Sequence, residues 1–356
     1  MGSLRCAIIG CGRTLRPDGQ IRHGMAYAHA KAYAAYDGAE VAAVCDIRED
    51  AAHGFLADLD FQAEVFTDYR ELLAQARPEV VSVCTWPALH AEMVIAAAES
   101  GARAIHCEKP MAPTWGECRK MVAVCQERGV QLSFNHQRRF GLPFRRAREL
   151  VRAGAIGELR RIEGQTDNLS DWGTHWFDMF FFYNGDEPAE WVLGQIDKRT
   201  DRSVFKEPVD DQGMSWFGFA NGVQAILLTG NKCRYGAGNR LIGTTGAIEL
   251  EAEGVPGHTL RLRDEKSKGW KLIECGDGMH GDHHTTLAIA DVLDCLKSGA
   301  EPELAARKAL QSTEIIFATY ESSRRRGRVD LPLTVDDSAL KSMLADGVIG
   351  PGAAAK

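Results

Sequence analysis

Four stretches of this sequence carry side chains whose types and spacing could do chemistry. Gly10-Cys11-Gly12 directly follows an apolar run, and glycines there let a backbone turn tightly and approach a phosphate closely. Asp46 closes Val44-Cys45-Asp46, offering a carboxylate that accepts hydrogen bonds from paired hydroxyls and repels phosphate. In Cys107-Glu108-Lys109-Pro110 the proline restrains the residue before it to an extended backbone, which aims the Lys109 ammonium. Asp171 lies four residues before His175, so in a helix the two would share a face. The carboxylate could then orient an imidazole that titrates near neutral pH and stabilise its protonated form.

Each stretch also admits a plainer reading. Gly-x-Gly is common, Asp46 suits a helix N-cap, and spacing alone favours a surface strand end for Lys109. His175 by itself fits a satisfied polar residue at a helix start. A His/Asp metal site is a further rival, to which His280, His283 and His284 would add. However, Asp282-His283-His284 opens a predicted helix, which places these histidines at a cleft lip. No CxxC pair occurs, so structural zinc or dithiol redox chemistry has little support.

The elements that position these residues fall into two rhythms. Apolar strand-like runs at 5–10, 40–46, 63–66, 79–85, 102–107 and 130–134 alternate with helical patterns at 25–36, 49–59, 69–76, 90–100 and 114–128. Such strands, separated by helices, predict a doubly wound parallel sheet covered on both faces, with ligands at the carboxyl ends of its strands. Residues 13–23 interrupt the glycine fingerprint, and the helix resumes at Gly24-Met25-Ala26, with Ala26 in the third, helix-packing position. The three arginines of this insertion, Arg13, Arg16 and Arg22, could reach phosphate or simply decorate a surface loop.

Beyond about residue 140, helices at 143–153 and 176–183 precede a glycine-rich stretch of alternating polar and apolar residues. Asn221-Gly222 between two such runs is a strong hairpin signal. Helices follow at 284–297 and 303–325, with an edge strand at 329–333. The expectation is an α/β chain: a dinucleotide-type domain at 1–140, an α+β domain with a large, mainly antiparallel open sheet at 141–340, and a tail at 341–356. The C-terminal helices are candidates to pack back on the first domain.

Composition narrows the function classes. A formal charge of −7, with 45% hydrophobic and 26% charged residues, is ordinary for a globular protein and argues against a nucleic-acid scaffold. The run Arg324-Arg325-Arg326-Gly327-Arg328 reads as a solvated helix end. Neither a signal peptide nor a bilayer-length apolar run of roughly 18 residues is seen. Cys6, Cys45, Cys84 and Cys107 sit in apolar runs as small buried hydrophobes, so a reducing cytoplasm is the expected setting.

Taken together the pieces resemble the Gfo/Idh/MocA family, relatives of glucose–fructose oxidoreductase and inositol dehydrogenase. The carriers are Gly10-Cys11-Gly12-Arg13, Cys84-Thr85 with His90-Ala91-Glu92, Glu108-Lys109-Pro110 and the segment 135–140. Asp171-Trp172-Gly173-Thr174-His175-Trp176-Phe177-Asp178 follows, then Ala318-Thr319-Tyr320-Glu321-Ser322 and 329–333. The resemblance runs from Leu4 to about Leu333. Two departures are the insertion at 13–23 and Trp86-Pro87, where many members carry a proline-asparagine pair.

The resemblance implies a Rossmann domain, a second domain whose sheet commonly forms a homo-oligomer interface (dimer or tetramer), and no metal. It implies reversible oxidation of a secondary alcohol on a sugar, cyclitol or polyol. Its catalytic residues fall on Lys109, Asp171 and His175. Cofactor contacts fall on Gly10, Gly12, Arg13, Asp46, Thr85, His90, Glu108 and Lys109. Asp46 favours NAD over NADP, a preference that Arg48 softens. In the chemistry expected, His175 is the base, Asp171 its partner and Lys109 the stabiliser of the developing alkoxide, with base and stabiliser exchangeable. Asp178 is expected to support the helix. Asn168, Trp172, Trp176 and His283 are candidate substrate contacts, since aromatic faces suit the C–H faces of a sugar ring. Two other functions fit the same residues: glycoside cleavage through transient oxidation by tightly bound NAD, and a non-catalytic NAD- or sugar-binding regulator.

Overall fold

Runs of valine, isoleucine, alanine and cysteine build the first sheet, because strands covered on both faces have no polar side to present. The computed structural model describes residues 3–15, 21–232, 238–251, 259–276 and 282–352. Its elements begin with β1 (Leu4–Ile9), a hairpin of β2 (Arg13–Leu15) and β3 (Ile21–His23), and α1 (Ala26–Ala35). They continue with β4 (Ala39–Cys45), α2 (Glu49–Leu59), β5 (Glu64–Phe66), α3 (Tyr69–Ala76), β6 (Val80–Val83) and α4 (Pro87–Glu99). β7 (Ala104–Cys107), α5 (Trp115–Glu127) and β8 (Gln131–Phe134) complete the set. The strands align in the order β5-β4-β1-β6-β7-β8, parallel throughout. That is the doubly wound topology, and every residue of β6 and β7 is buried. Helix α4 starts at Pro87, three residues before the predicted start, because proline is well placed in a helix's first turn.

The second rhythm forms a different sheet. α6 (Leu142–Arg152), β9 (Leu159–Thr166), α7 (Gly173–Tyr183) and β10 (Ala189–Asp197) lead into the small hairpin of β11 (Ser203–Val204) and β12 (Glu207–Pro208). β13 (Gln212–Phe219), β14 (Gln224–Gly230), β15 (Asn239–Gly243), β16 (Gly246–Leu250), β17 (Thr259–Asp264) and β18 (Lys271–Glu274) follow. Then come α8 (Asp282–Ser298), α9 (Ala306–Arg325), β19 (Val329–Asp330) and α10 (Ala339–Ala345). The nine strands run β18-β17-β16-β15-β9-β14-β13-β10-β19, antiparallel except for β9 with β14. β13 and β14 join at Asn221-Gly222, where Gly222 has φ +83°, the left-handed conformation that explains glycine there. One face of this sheet is packed by Phe177, Phe180 and Phe181 of α7 against Phe217 and Phe219. Gly164 of β9 permits the approach, since a Cβ there would lie 2.6 Å from the Phe180 ring.

The chain divides into two compact units, 1–112 with 117–137 and 281–309, and 113–116 with 138–280 and 310–356. Helix α8 thus returns to the first unit, where Ile289, Val292 and Leu293 join the core around Tyr33. Residues read as a tail begin as α10, whose Ala339, Leu340 and Met343 are buried. Arg324 of the basic run is held by Glu321 and Asp337. No helix among the described residues is long and apolar enough to cross a membrane.

Candidate active site

In the first unit the glycine loop closes over the ends of β1 and β6. Gly10 has φ +89°, and a Cβ there would meet Cys84 O at 2.9 Å and Thr85 Cγ2 at 2.8 Å. Gly12 and Gly24 touch, with Gly24 N donating to Gly12 O at 2.9 Å. The insertion therefore leaves and re-enters the loop at a single point. It forms the β2–β3 hairpin, whose tip lies outside the described residues along with Arg16. Ala26 is fully buried at the head of α1. Asp46 accepts from Cys11 N and Arg48 N, each at 3.0 Å, so its charge sits at the end of β4 beside the glycine loop. Arg13 is directed elsewhere: its Nε donates to Asp58 of α2 at 2.8 Å, where Tyr27 OH also donates.

At the ends of β6 and β7 two histidines organise the loops. Fully buried His90 sits between the carbonyl of Thr85 (3.1 Å) and that of Pro110 (2.9 Å), tying the loop after β6 to the one after β7. Burial lowers its pKa, since the charged ring is disfavoured there. Lys109 is half-buried, directly after Glu108. The Glu108 carboxylate turns inward, accepting from His29 Nε2 at 3.0 Å, Asn135 Nδ2 at 2.7 Å and Lys109 N at 3.3 Å. Burial pushes this carboxyl up, but the bonds to His29 and Asn135 and the charge of Lys109 outweigh it and bring its pKa down to about 2.

In the second unit a turn at 167–172 precedes α7. Helix α7 begins at Gly173, so Asp171 stands in the turn and not on the helix with His175. The shared helical face expected from their spacing is therefore not formed. Asp171 is instead set by the turn: Asn168 Oδ1 accepts from Asp171 N at 2.7 Å, and Gly173 N donates to Asn168 O at 2.8 Å. Asn168 is fully buried, and its Nδ2 donates to Asp167. Buried Asp210 anchors the same turn by accepting from Leu169 N at 2.9 Å and Thr229 Oγ1 at 2.7 Å. Asp171 and His175 are both nearly buried, whereas Trp172 is 41% exposed. Trp176 is buried, its Nε1 donating to Gln165 O. The Arg138 guanidinium lies 4.2 Å from the Trp176 ring centre and 5.6 Å from that of Trp172. Arg139 and Asp178 form a buried bidentate pair that fixes α7 to the turn at Gln137–Phe140 ahead of α6, so Asp178 supports the helix.

His283 is exposed on α8 in the first unit, its ring against His284, and His280 lies outside the described residues. Among the described residues no three His, Cys, Asp or Glu side chains converge as for a metal. His29 and Asp210 also organise these sites, yet nothing marks their roles in the sequence beyond a polar residue in an apolar or turn-rich segment, whereas Asn135 and Arg138 fall in the segment 135–140 that carries the resemblance.

Residues 4–136 match the oxidoreductase family with an NAD-binding Rossmann fold, and 168–249 match the GFO/IDH/MocA C-terminal domain. The chain belongs to the Gfo/Idh/MocA oxidoreductase family. It is 34% identical over 156 residues to D-glucoside 3-dehydrogenase of Escherichia coli K12, covering 44% of this chain and 41% of that one. The match thus spans about two fifths of that relative's length. Myo-inositol 2-dehydrogenase of Thermotoga maritima is 25% identical, with 92% of this chain and 98% of that one covered. Levoglucosan dehydrogenase, solved with NADH and levoglucosan, shares the fold at a TM-score of 0.77 and 22% identity, over 93% of this chain and 100% of that one. The expectation of a Rossmann unit followed by a mostly antiparallel sheet therefore holds.

Proposed function

We propose that the protein catalyses NAD-dependent oxidation or reduction of a secondary alcohol on a sugar, cyclitol or related polyol. The observation that carries this is the head of α7, where nearly buried Asp171 and His175 stand on either side of half-exposed Trp172 along the chain. The loop at Gly10 and Gly12, which a Cβ would fill, fits a dinucleotide phosphate. Asp46, Thr85 and His90 would complete the cofactor site, with Asp46 favouring NAD over NADP. Arg13 and Glu108 would serve it indirectly, since their side chains face Asp58 and His29. Bound NAD supplies a hydride acceptor. His175 takes the hydroxyl proton, Asp171 favours the protonated imidazole, and Lys109 stabilises the developing alkoxide. Trp172 offers the sugar a face, Trp176 and Asn168 hold the turn behind it, and His283 is a further candidate contact.

The decisive experiment is a panel of sugars, cyclitols and glycosides with added NAD, following both NADH and released aglycone. Net NADH is expected, and Lys109→Ala should bind NAD yet lose at least about 100-fold in kcat. Wild-type turnover by that variant would remove Lys109 from the mechanism, and a strong preference for NADPH would remove Asp46 from the ribose. The relative named D-glucoside 3-dehydrogenase brings glycosides into the panel, and with them a second reading, in which a glycoside is oxidised transiently and the bond is eliminated across an acidified C–H. Aglycone release without net NADH would select it. Binding without any turnover would select a regulator.

The described cysteines carry no disulfide, which supports a reducing, cytoplasmic setting. Met214 and Leu228 are exposed on the sheet face opposite α7, beside Trp216 and Ile226, and this supports a homo-oligomer through that face.

A further inference from the structure

We infer that Glu108 is a positioning residue that fixes the backbone of Lys109 and ties it to helix α1 through His29, an inference resting on the role proposed for Lys109. A buried carboxylate costs several kcal/mol unless it is well paired, and at the end of a core strand an apolar side chain would pack as well. Here the charge is retained and paired from three directions. Oε1 accepts from His29 of α1 (3.0 Å) and from Asn135 behind β8 (2.7 Å), while Oε2 accepts from the amide of Lys109 (3.3 Å).

The link continues into the sheet. The second ring nitrogen of His29 meets Ser82 Oγ of β6 at 2.9 Å, and Tyr33 OH of α1 meets the same oxygen at 2.7 Å. Helix α1 is therefore stitched to β6 and to the end of β7 by one turn of polar residues, His29 and Tyr33, on an otherwise alanine-rich face. That helix starts two residues after Gly24, which closes the glycine loop. A group placed at the loop and the ammonium of Lys109 thus share one rigid support. An error of about 1 Å in such placement can cost about 100-fold in rate.

Glu108→Gln separates this role from simple packing. Its carbonyl can still accept from His29 and Asn135, but its amide presents hydrogens to the Lys109 N–H and cannot accept from it. With NAD and either myo-inositol or methyl β-D-glucoside, kcat should fall about 10- to 100-fold while the alcohol KM and calorimetric NAD affinity stay within about 3-fold. Hydrogen exchange of the peptide containing the Lys109 amide should quicken, whether or not either alcohol is turned over. His29→Gln, which keeps a donor to Glu108, should retain kcat within about 3-fold, and His29→Leu should reproduce the loss. Unchanged exchange and kcat in Glu108→Gln, with Lys109→Ala inactive, would overturn the inference alone. Activity in Lys109→Ala would overturn the role of Lys109 itself. Should Glu108→Gln and His29→Leu lose melting temperature and NAD affinity in step with kcat, the network is structural only and the inference falls.

Discussion

A methyl group at position 10 has no space. It would sit 2.9 Å from Cys84 O and 2.8 Å from Thr85 Cγ2, on a backbone with φ +89°. Gly10→Ala should therefore cost about 1–3 kcal/mol from backbone strain alone, plus the collision. Gly101 has φ +96° with no atom within 4 Å of a built Cβ, so Gly101→Ala carries the strain without the collision. Thermal melts of the two variants should differ, and calorimetric titration should show weakened NAD binding only in Gly10→Ala. Equal losses in both would mean that the close approach at Gly10 is unimportant. Residues of this kind were legible in the sequence, because a glycine directly after a strand and a carboxylate at a strand end gain their meaning from the order of the motifs around them. His29 was not legible, because a polar residue in a core segment reveals its purpose only when its partner is in place.

Among the elements, the β2–β3 hairpin is the part that interrupts a common design. Its ends meet: Gly24 N donates to Gly12 O at 2.9 Å, and a Cβ on Gly12 would lie 3.0 Å from the Cα of Gly24. Deleting residues 13–23 and joining Gly12 to Gly24 should leave NAD affinity within about 3-fold, since among the described contacts the deletion removes the Arg13–Asp58 ion pair and the stacking of His23 on Tyr27 and leaves Gly10, Gly12 and Gly24 in place. Isothermal titration of the folded deletion variant checks this. Lost affinity with the fold intact would make the hairpin part of the cofactor site. Helices and strands were largely visible from periodicity, because burial of one face imposes it. The start of α7 was not: the helix begins at Gly173, three residues before the predicted 176, and the residues up to Asp171 are held in a turn by Asn168 and by Asp210 from the loop before β13.

For the molecule as a whole, stability should fall with acid. Burial holds His106 down to about 3, whereas the bonds to His29 and Asn135 and the charge of Lys109 bring Glu108 down to about 2 against its burial; the ordinary values are 6.5 and 4.5. In each case the unfolded chain takes up its proton first. The His106 contribution is complete above pH 6.5 and lost towards 3, and that of Glu108 is lost between 4.5 and 2. Asp210, pushed up by burial, opposes this: its contribution is present below 3.8 and lost as pH rises through its raised value. Urea unfolding from pH 7 to 3 should show a slope of up to about 1.4 kcal/mol per pH unit for each proton, and His106→Asn should flatten it above pH 4.5. A slope unchanged in that variant would assign the loss to other groups.

The open sheet face gives a second test, since Met214 is 39% and Leu228 47% exposed on neighbouring strands. Light scattering should report an oligomer that Met214→Glu with Leu228→Glu reduces towards a monomer. A wild-type monomer would remove the proposed interface. The sequence by itself determined the order of the main strands and helices, the glycine loop and the carboxylate of Asp46 at the end of β4, because covalent order and side-chain chemistry are local facts. Only the tertiary structure decided that Arg13 serves Asp58, that Glu108 faces His29, and that Asp171 belongs to a turn. A buried polar group must find its partner wherever the fold brings one, and that partner is set by distance in space, not along the chain.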